Sequence, residues 1–97
     1  MHPDPRVAAF FERYEAGAYF EAHEILEAFW MDYREADRDF YQGLIQAAVA
    51  RHHASRGNVA GARGLAASCR KRLAPFLPAH DGVNTAAFLD ALEREMP

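Results

Sequence analysis

Cysteine and lysine are nearly missing from this sequence: 97 residues contain one of each, Cys69 and Lys71. A lone cysteine closes no internal disulfide, so stability must come from packing, and this usage fits a reducing compartment. No stretch approaches the roughly 18 uninterrupted apolar residues of a membrane span. The opening Met-His-Pro-Asp-Pro has neither the basic start nor the apolar run of a signal peptide. The expectation is a soluble, cytoplasmic chain with no membrane partner. The G-x-S-x-G elbow, the P-loop and the dinucleotide fingerprint are all absent, and nothing around Cys69 would stabilise a thiolate.

Acids are missing from the middle of the chain. Residues 1–39 carry ten acids and four arginines, residues 40–80 carry six bases and no acid, and residues 81–97 carry four acids and one arginine. The blocks thus run −6, +6 and −3, which sum to the net charge of −3. A basic block is one footprint of nucleic-acid binding, but a pI near 5.9 argues against it. The simpler expectation is that the bases of residues 51–72 pair with acids of the first two helices, within the chain or its oligomer.

What is present is a helical sequence. Hydrophobic residues make up 51% and charged residues 26%, the balance of a globular protein, and 97 residues suffice for one core but not two. Asp4 before Pro5 starts a helix that Gly17 ends, with Val7, Phe10, Phe11 and Tyr14 inward. A second helix spans about Tyr19 to Glu35. The Asp37-Arg38-Asp39 stretch caps a third, running to about Arg56. Asn58 caps a fourth, whose seam is Val59, Ala62, Ala66, Cys69 and Leu73. Pro75 and Pro78 end it, and Asn84 caps a last helix with Phe88, Leu89, Leu92 and Met96 inward. A weak similarity at an offset of 40 residues, Gly17 to Ala22 against Gly57 to Ala62, suggests two helical hairpins closed alike. The predicted fold is all-α: a single compact bundle of about five helices, built from antiparallel hairpins, with residues 1–97 as one domain.

Polar residues interrupt the apolar faces. On the second helix, His23 and Glu27 lie one turn apart inside a broad apolar arc that includes Phe20 and Met31. On the third, Gln42, Gln46 and His53 form a stripe with Val49 between, while Leu44, Ile45 and several alanines occupy most other positions. Gly43, costing about 1 kcal/mol in a helix interior, implies close approach of a neighbour. Facing stripes would bring His23, Glu27, Gln46 and His53 together. Two imidazoles and a carboxylate are the ligand set of many zinc and non-haem iron sites, so a divalent metal on His23, Glu27 and His53 is one reading. A buried hydrogen-bond network fixing helix register is the other. His23-Glu24-Ile25-Leu26-Glu27 is no zincin motif, since the second histidine is missing. His2 and His80 fall in irregular segments, where solvation is expected.

Tyr19-Phe20-Glu21-Ala22-His23-Glu24-Ile25-Leu26-Glu27 closing with Trp30, then Gln42-Gly43-Leu44-Ile45-Gln46-Ala47-Ala48, then Gly57-Asn58 with Gly61-Ala62, resemble the family catalogued as domain of unknown function 309. These are small helical proteins of bacteria and archaea, with relatives in plastids. The resemblance spans about residues 8–75. It implies a helical bundle with motif positions at His23, Glu24, Glu27, Trp30, Gln42, Gly43 and Gln46, and it implies no activity. The functional expectation is a small binding or interaction domain whose polar cluster of His23, Glu24, Glu27, Trp30, Gln42, Gln46 and His53 is structural or holds a small ligand or metal. The alternative is a metal-dependent enzyme, a hydrolase using His23, Glu27 and His53. Helices two and three are apolar over more than one core-facing stripe, which predicts a homo-oligomer, in the simplest case a dimer.

Overall fold

The computed structural model describes residues 1–97 as five α-helices: α1 Pro5–Glu15, α2 Tyr19–Asp32, α3 Arg38–Ser55, α4 Val59–Leu73 and α5 Thr85–Arg94, with one 3-10 turn at Ala74–Phe76 after α4. Each start has a local cause. The Asp4 carboxylate accepts from the Arg6 amide, Asn58 from Gly61 and Asn84 from Ala87, satisfying donors that the first helical turn leaves free. Asp37 departs from expectation: its carboxylate makes no cap bond, because Tyr33 and His80 both hold it. The α1–α2 and α3–α4 turns each pass through a glycine with left-handed backbone, Gly17 and Gly57. Five residues after each, Ala22 and Ala62 are fully buried, so both hairpins close on a small residue.

Nineteen buried residues from all five helices and the segment before α5 form one core cluster. Helix α3 is its centre, packing on α2 along one side and most extensively on α4 along the other. Gly43 is the point of closest approach: a Cβ there would lie 2.7 Å from Leu73 Cδ2 and 3.3 Å from Arg72 Cβ. Phe40, Tyr41, Leu44, Ala47, Ala48 and Ala50 are buried. The other faces of the bundle are closed by α1 and α5. Phe11 and Tyr14 of α1 meet Phe88 of α5, with ring centroids 6.2 and 5.0 Å apart. Val59 does not join the α4 seam, being 43% exposed, whereas Ala62, Ala66, Cys69 and Leu73 do.

Neither His2 nor His80 is left to solvent. His2 sits edge-on to Phe29, Tyr33 and Tyr41, and His80 packs on Phe40 and Phe76 while Nε2 meets Asp37 at 2.8 Å. His80 and Val83 exchange two backbone hydrogen bonds, and Tyr41 donates to Asp81. The segment before α5 is thereby tied to the start of α3.

Within one chain, charge pairing also departs from the expectation. Arg70 pairs with Glu93 and Arg51 reaches toward Glu95, both acids at the chain's end, while Arg72 pairs with Asp39 at the start of α3. None of the bases of residues 51–72 pairs with an acid of α1 or α2 within the chain; there the link is Arg13 to Glu21. No helix is long and apolar enough to cross a membrane.

Candidate functional site

The polar residues of α2 and α3 come together at the surface, not in the interior. On α2 the buried stripe is only Ala22, Leu26 and Phe29. Phe20 and Met31, counted with the apolar arc in the sequence reading, are 50% and 59% exposed. With them outside, the arc no longer encloses its neighbours: Glu24 and Glu27 are exposed and His23 is half-buried. The enclosed His/Glu/Gln cluster is therefore not formed within one chain.

On α3, Gln42, Gln46, Val49 and His53 follow one another at helical spacing and are each half-buried, between the side that meets α2 and the side that meets α4. Gly61, Leu65, Ser68 and Arg72 form the adjoining half-buried stripe of α4. Phe20 reaches across from α2 to His52, ring centroids 5.2 Å apart. The outcome is an open face three helices wide, carrying Phe20, His23, Glu24, Glu27 and Met31 along one side and the α3 stripe in the middle.

The histidines on this face have assigned protons. His23 Nδ1 lies 2.7 Å from the Phe20 carbonyl, which can only accept, so Nδ1 carries hydrogen and Nε2 is left as the free nitrogen. Asn58 uses its oxygen to cap α4, so its NH₂ donates to His53 Nδ1 at 3.3 Å. His53 Nδ1 is thereby occupied as an acceptor. No group of three or more His, Cys, Asp or Glu side chains is placed to hold a metal ion, so the set His23, Glu27 and His53 does not assemble as the metal reading expected. Cys69 is fully buried, and burial pushes its thiol up to about 12.

Two motif residues have structural duties. Trp30 Nε1 donates to the Arg38 carbonyl at 3.1 Å, and the Arg38 guanidinium stacks 3.6 Å from the indole centroid while Nε donates to the Tyr33 carbonyl. This fixes the α2–α3 connection. Gly43 admits Leu73, as above. Gln46 has no such explanation: its Oε1 is buried without a hydrogen-bond partner, and Arg72 Nε, on the neighbouring stripe, is likewise buried and unpartnered. Buried polar atoms are nearly always satisfied, so these two are exceptions beneath the open face. Sequence reasoning found Gln42, Gln46 and His53 but missed Phe20, Met31, Leu65 and Arg72 as members of this face. The available signal was the pair Glu24 and Glu27, whose charges mark the solvent side of α2 and so place Phe20 and Met31 there too.

The chain matches the family described as "Domain of unknown function (DUF309)" over residues 7–65. It is 39% identical over 69 residues to the "Uncharacterized protein YpuF" of Bacillus subtilis (strain 168), an aligned stretch covering 70% of this chain and 40% of that protein. The chain thus spans about two fifths of the length of this curated relative. No solved structure matches. The matched residues run from the start of α1 to the middle of α4 and include every motif position on the open face.

Proposed function

The chain belongs to the DUF309 family, and from that premise we propose that it is an interaction domain that pairs with a second copy of itself through the open α2–α3–α4 face. The observation that carries this reading is the apolar surface that Phe20 and Met31 leave exposed along that face, at 50% and 59%. Gln46, half-buried in the α3 stripe, adds a side-chain amide to the middle of the face.

The rest of the face fits the same arrangement. Glu24 and Glu27 have no basic partner within the chain, whereas the C-terminal end of α4 carries Arg72 on the open stripe and Lys71 beside it, which pairs with no acid. A twofold axis running along α3 lays α2 of one copy over α4 of the other, setting these acids toward those bases. The motif residues of α2 and α3 would then be shared interface positions and not an enclosed site.

Val49 is the position to test, since it is half-buried at the centre of the α3 stripe and makes no hydrogen bond through its side chain. In sedimentation at micromolar concentration the native chain is expected at twice its 10.9 kDa mass. Val49→Arg should sediment as a single chain with its helical circular dichroism unchanged. A native chain that remains single at all concentrations removes the proposal, and a Val49→Arg variant that still pairs moves the interface elsewhere.

A further inference from the structure

Away from that face, α1, α5 and the residues leading into α5 enclose a groove of about 500 Å³, within the range of small-molecule sites. Phe11, Tyr14 and Phe88 line it, with the small residues Ala87 and Ala91 on α5. A second hollow of about 240 Å³ adjoins Ser55 and Glu95. Tyr19 and Arg51 border both, so Arg51 stands where the apolar groove meets the smaller hollow. Arg51 precedes His53 by two positions and therefore lies on the opposite side of α3 from the proposed pairing face.

Arg51 is poorly answered by the protein. Among the arginines that contact an acid it is the most withdrawn from water, its side chain 18% exposed, yet its contact is the longest, Nη2 to Glu95 at 4.0 Å. Nη1 donates to the Tyr14 hydroxyl at a marginal 3.5 Å. The rings of Tyr14 and Tyr19 lie 5.2 and 4.8 Å away, which favours the cation without satisfying its donors. A guanidinium offers five N–H donors in a fixed fork. Tyr14 compounds the excess: its oxygen accepts from Arg51, and its own proton has no acceptor in the chain. Burial pushes the Tyr14 phenol up to about 12, so that proton stays in place at neutral pH. Two hydrogen-bond donors, one of them cationic, thus converge at an aromatic groove, with only the loose Glu95 contact to answer the charge.

We infer that this groove binds a small monocarboxylate with an apolar body, of the medium-chain fatty acid class, its carboxylate taken by Arg51 and Tyr14 and its chain laid against Phe11, Phe88, Ala87 and Ala91. One guanidinium balances one negative charge. A phosphate dianion would bring a second charge toward Glu15 at the groove and Glu95 beyond Arg51, so a monoanion is the better match. Planar carboxylate also suits the two parallel N–H bonds of a guanidinium edge, and the loose Glu95 contact, from a side chain 62% exposed, yields to it readily. Helix α5, which forms one wall, lies outside the residues matched by the family, whereas Phe11, Tyr14, Tyr19 and Arg51 lie within them.

Calorimetric titration of the full chain with octanoate and with octan-1-ol tests the inference. The two probes share a body and differ in the anion. Octanoate should bind saturably at one site and octanol about tenfold more weakly or worse, the worth of a charge-assisted hydrogen bond. Arg51→Gln should lose octanoate affinity by a similar factor. Because Arg51 is largely buried and its variant could fail to fold, Ala87→Trp provides a second arm: it fills the groove from an exposed position, leaves Arg51 intact and should abolish octanoate binding. Equal affinity for octanoate and octanol, no binding of octanoate, or native affinity in Ala87→Trp would each overturn the site.

Discussion

At the scale of single residues, the motif separates into positions that hold the fold and positions with nothing in the fold to hold. Trp30 and Gly43 are of the first kind. Gly43 is unusual in that its replacement by alanine has opposing effects: alanine improves helix propensity by about 1 kcal/mol, but its methyl would sit 2.7 Å from Leu73 Cδ2, and Leu73 is fully buried. Overpacking a tight contact costs about 1–3 kcal/mol, so the clash outweighs the gain. Gly43→Ala is expected to lower the urea midpoint, by a net loss of about 1 kcal/mol. A raised midpoint would mean that α3 and α4 do not approach as closely as described. Glycine 43 was legible in the sequence as a close approach. Gln46 was legible as a polar residue in an apolar helix, but whether it faced inward or outward depended on which side of α3 the other elements leave uncovered, and that side carries Gln42, Gln46, Val49 and His53.

At the scale of elements, caps and turns were the most readable part of the chain, because they depend on neighbouring residues alone. Asp4, Asn58 and Asn84 cap as their spacing predicts. Long-range pairing was not readable. Asp37 looked like a cap, yet its partners are Tyr33 and, 43 residues away, His80. The breadth of the apolar arc on α2 misled for a related reason: Phe20 and Met31 are apolar without being core, and periodicity cannot separate a core face from an unpartnered one. The Asp37 contacts have a measurable consequence. Burial would raise its carboxyl, but the hydrogen bonds from His80 and Tyr33 outweigh burial and hold it below the usual carboxylate range. A carboxyl lowered by folding contributes stability that is complete above the ordinary aspartate value of about 3.9 and is lost as pH falls through its lower folded value. Asp37→Asn should therefore cost about 1–2 kcal/mol near neutral pH, with the gap to the native chain closing on acidification below about pH 4. The variant keeps some acid sensitivity through Asp4, which the Arg6 hydrogen bonds hold at about 2. A gap that stays constant from pH 7 to pH 2 would contradict an ionised, paired Asp37.

For the whole molecule, the five-helix architecture followed from the sequence because helix-forming segments, stops and caps all agreed, which is the condition for a chain to specify one fold. The charge blocks were legible as blocks, but within one chain their pairing differs from the expectation: the central bases turn to the chain's C-terminal acids and to Asp39, leaving Glu24 and Glu27 facing outward. That leftover acid and the exposed Phe20 and Met31 lie along one side of the bundle, beside the half-buried α3 stripe. The proposed pairing of two copies through that side would cover them together. The most direct measurement is isotope-filtered nuclear Overhauser spectroscopy on a mixture of labelled and unlabelled chains, which detects only contacts between copies. The account predicts cross-copy signals from the Val49 methyls and from Phe20, Met31 and Leu65; cross-copy signals confined to α1 or α5, or none at concentrations where the spectrum is strong, would contradict it.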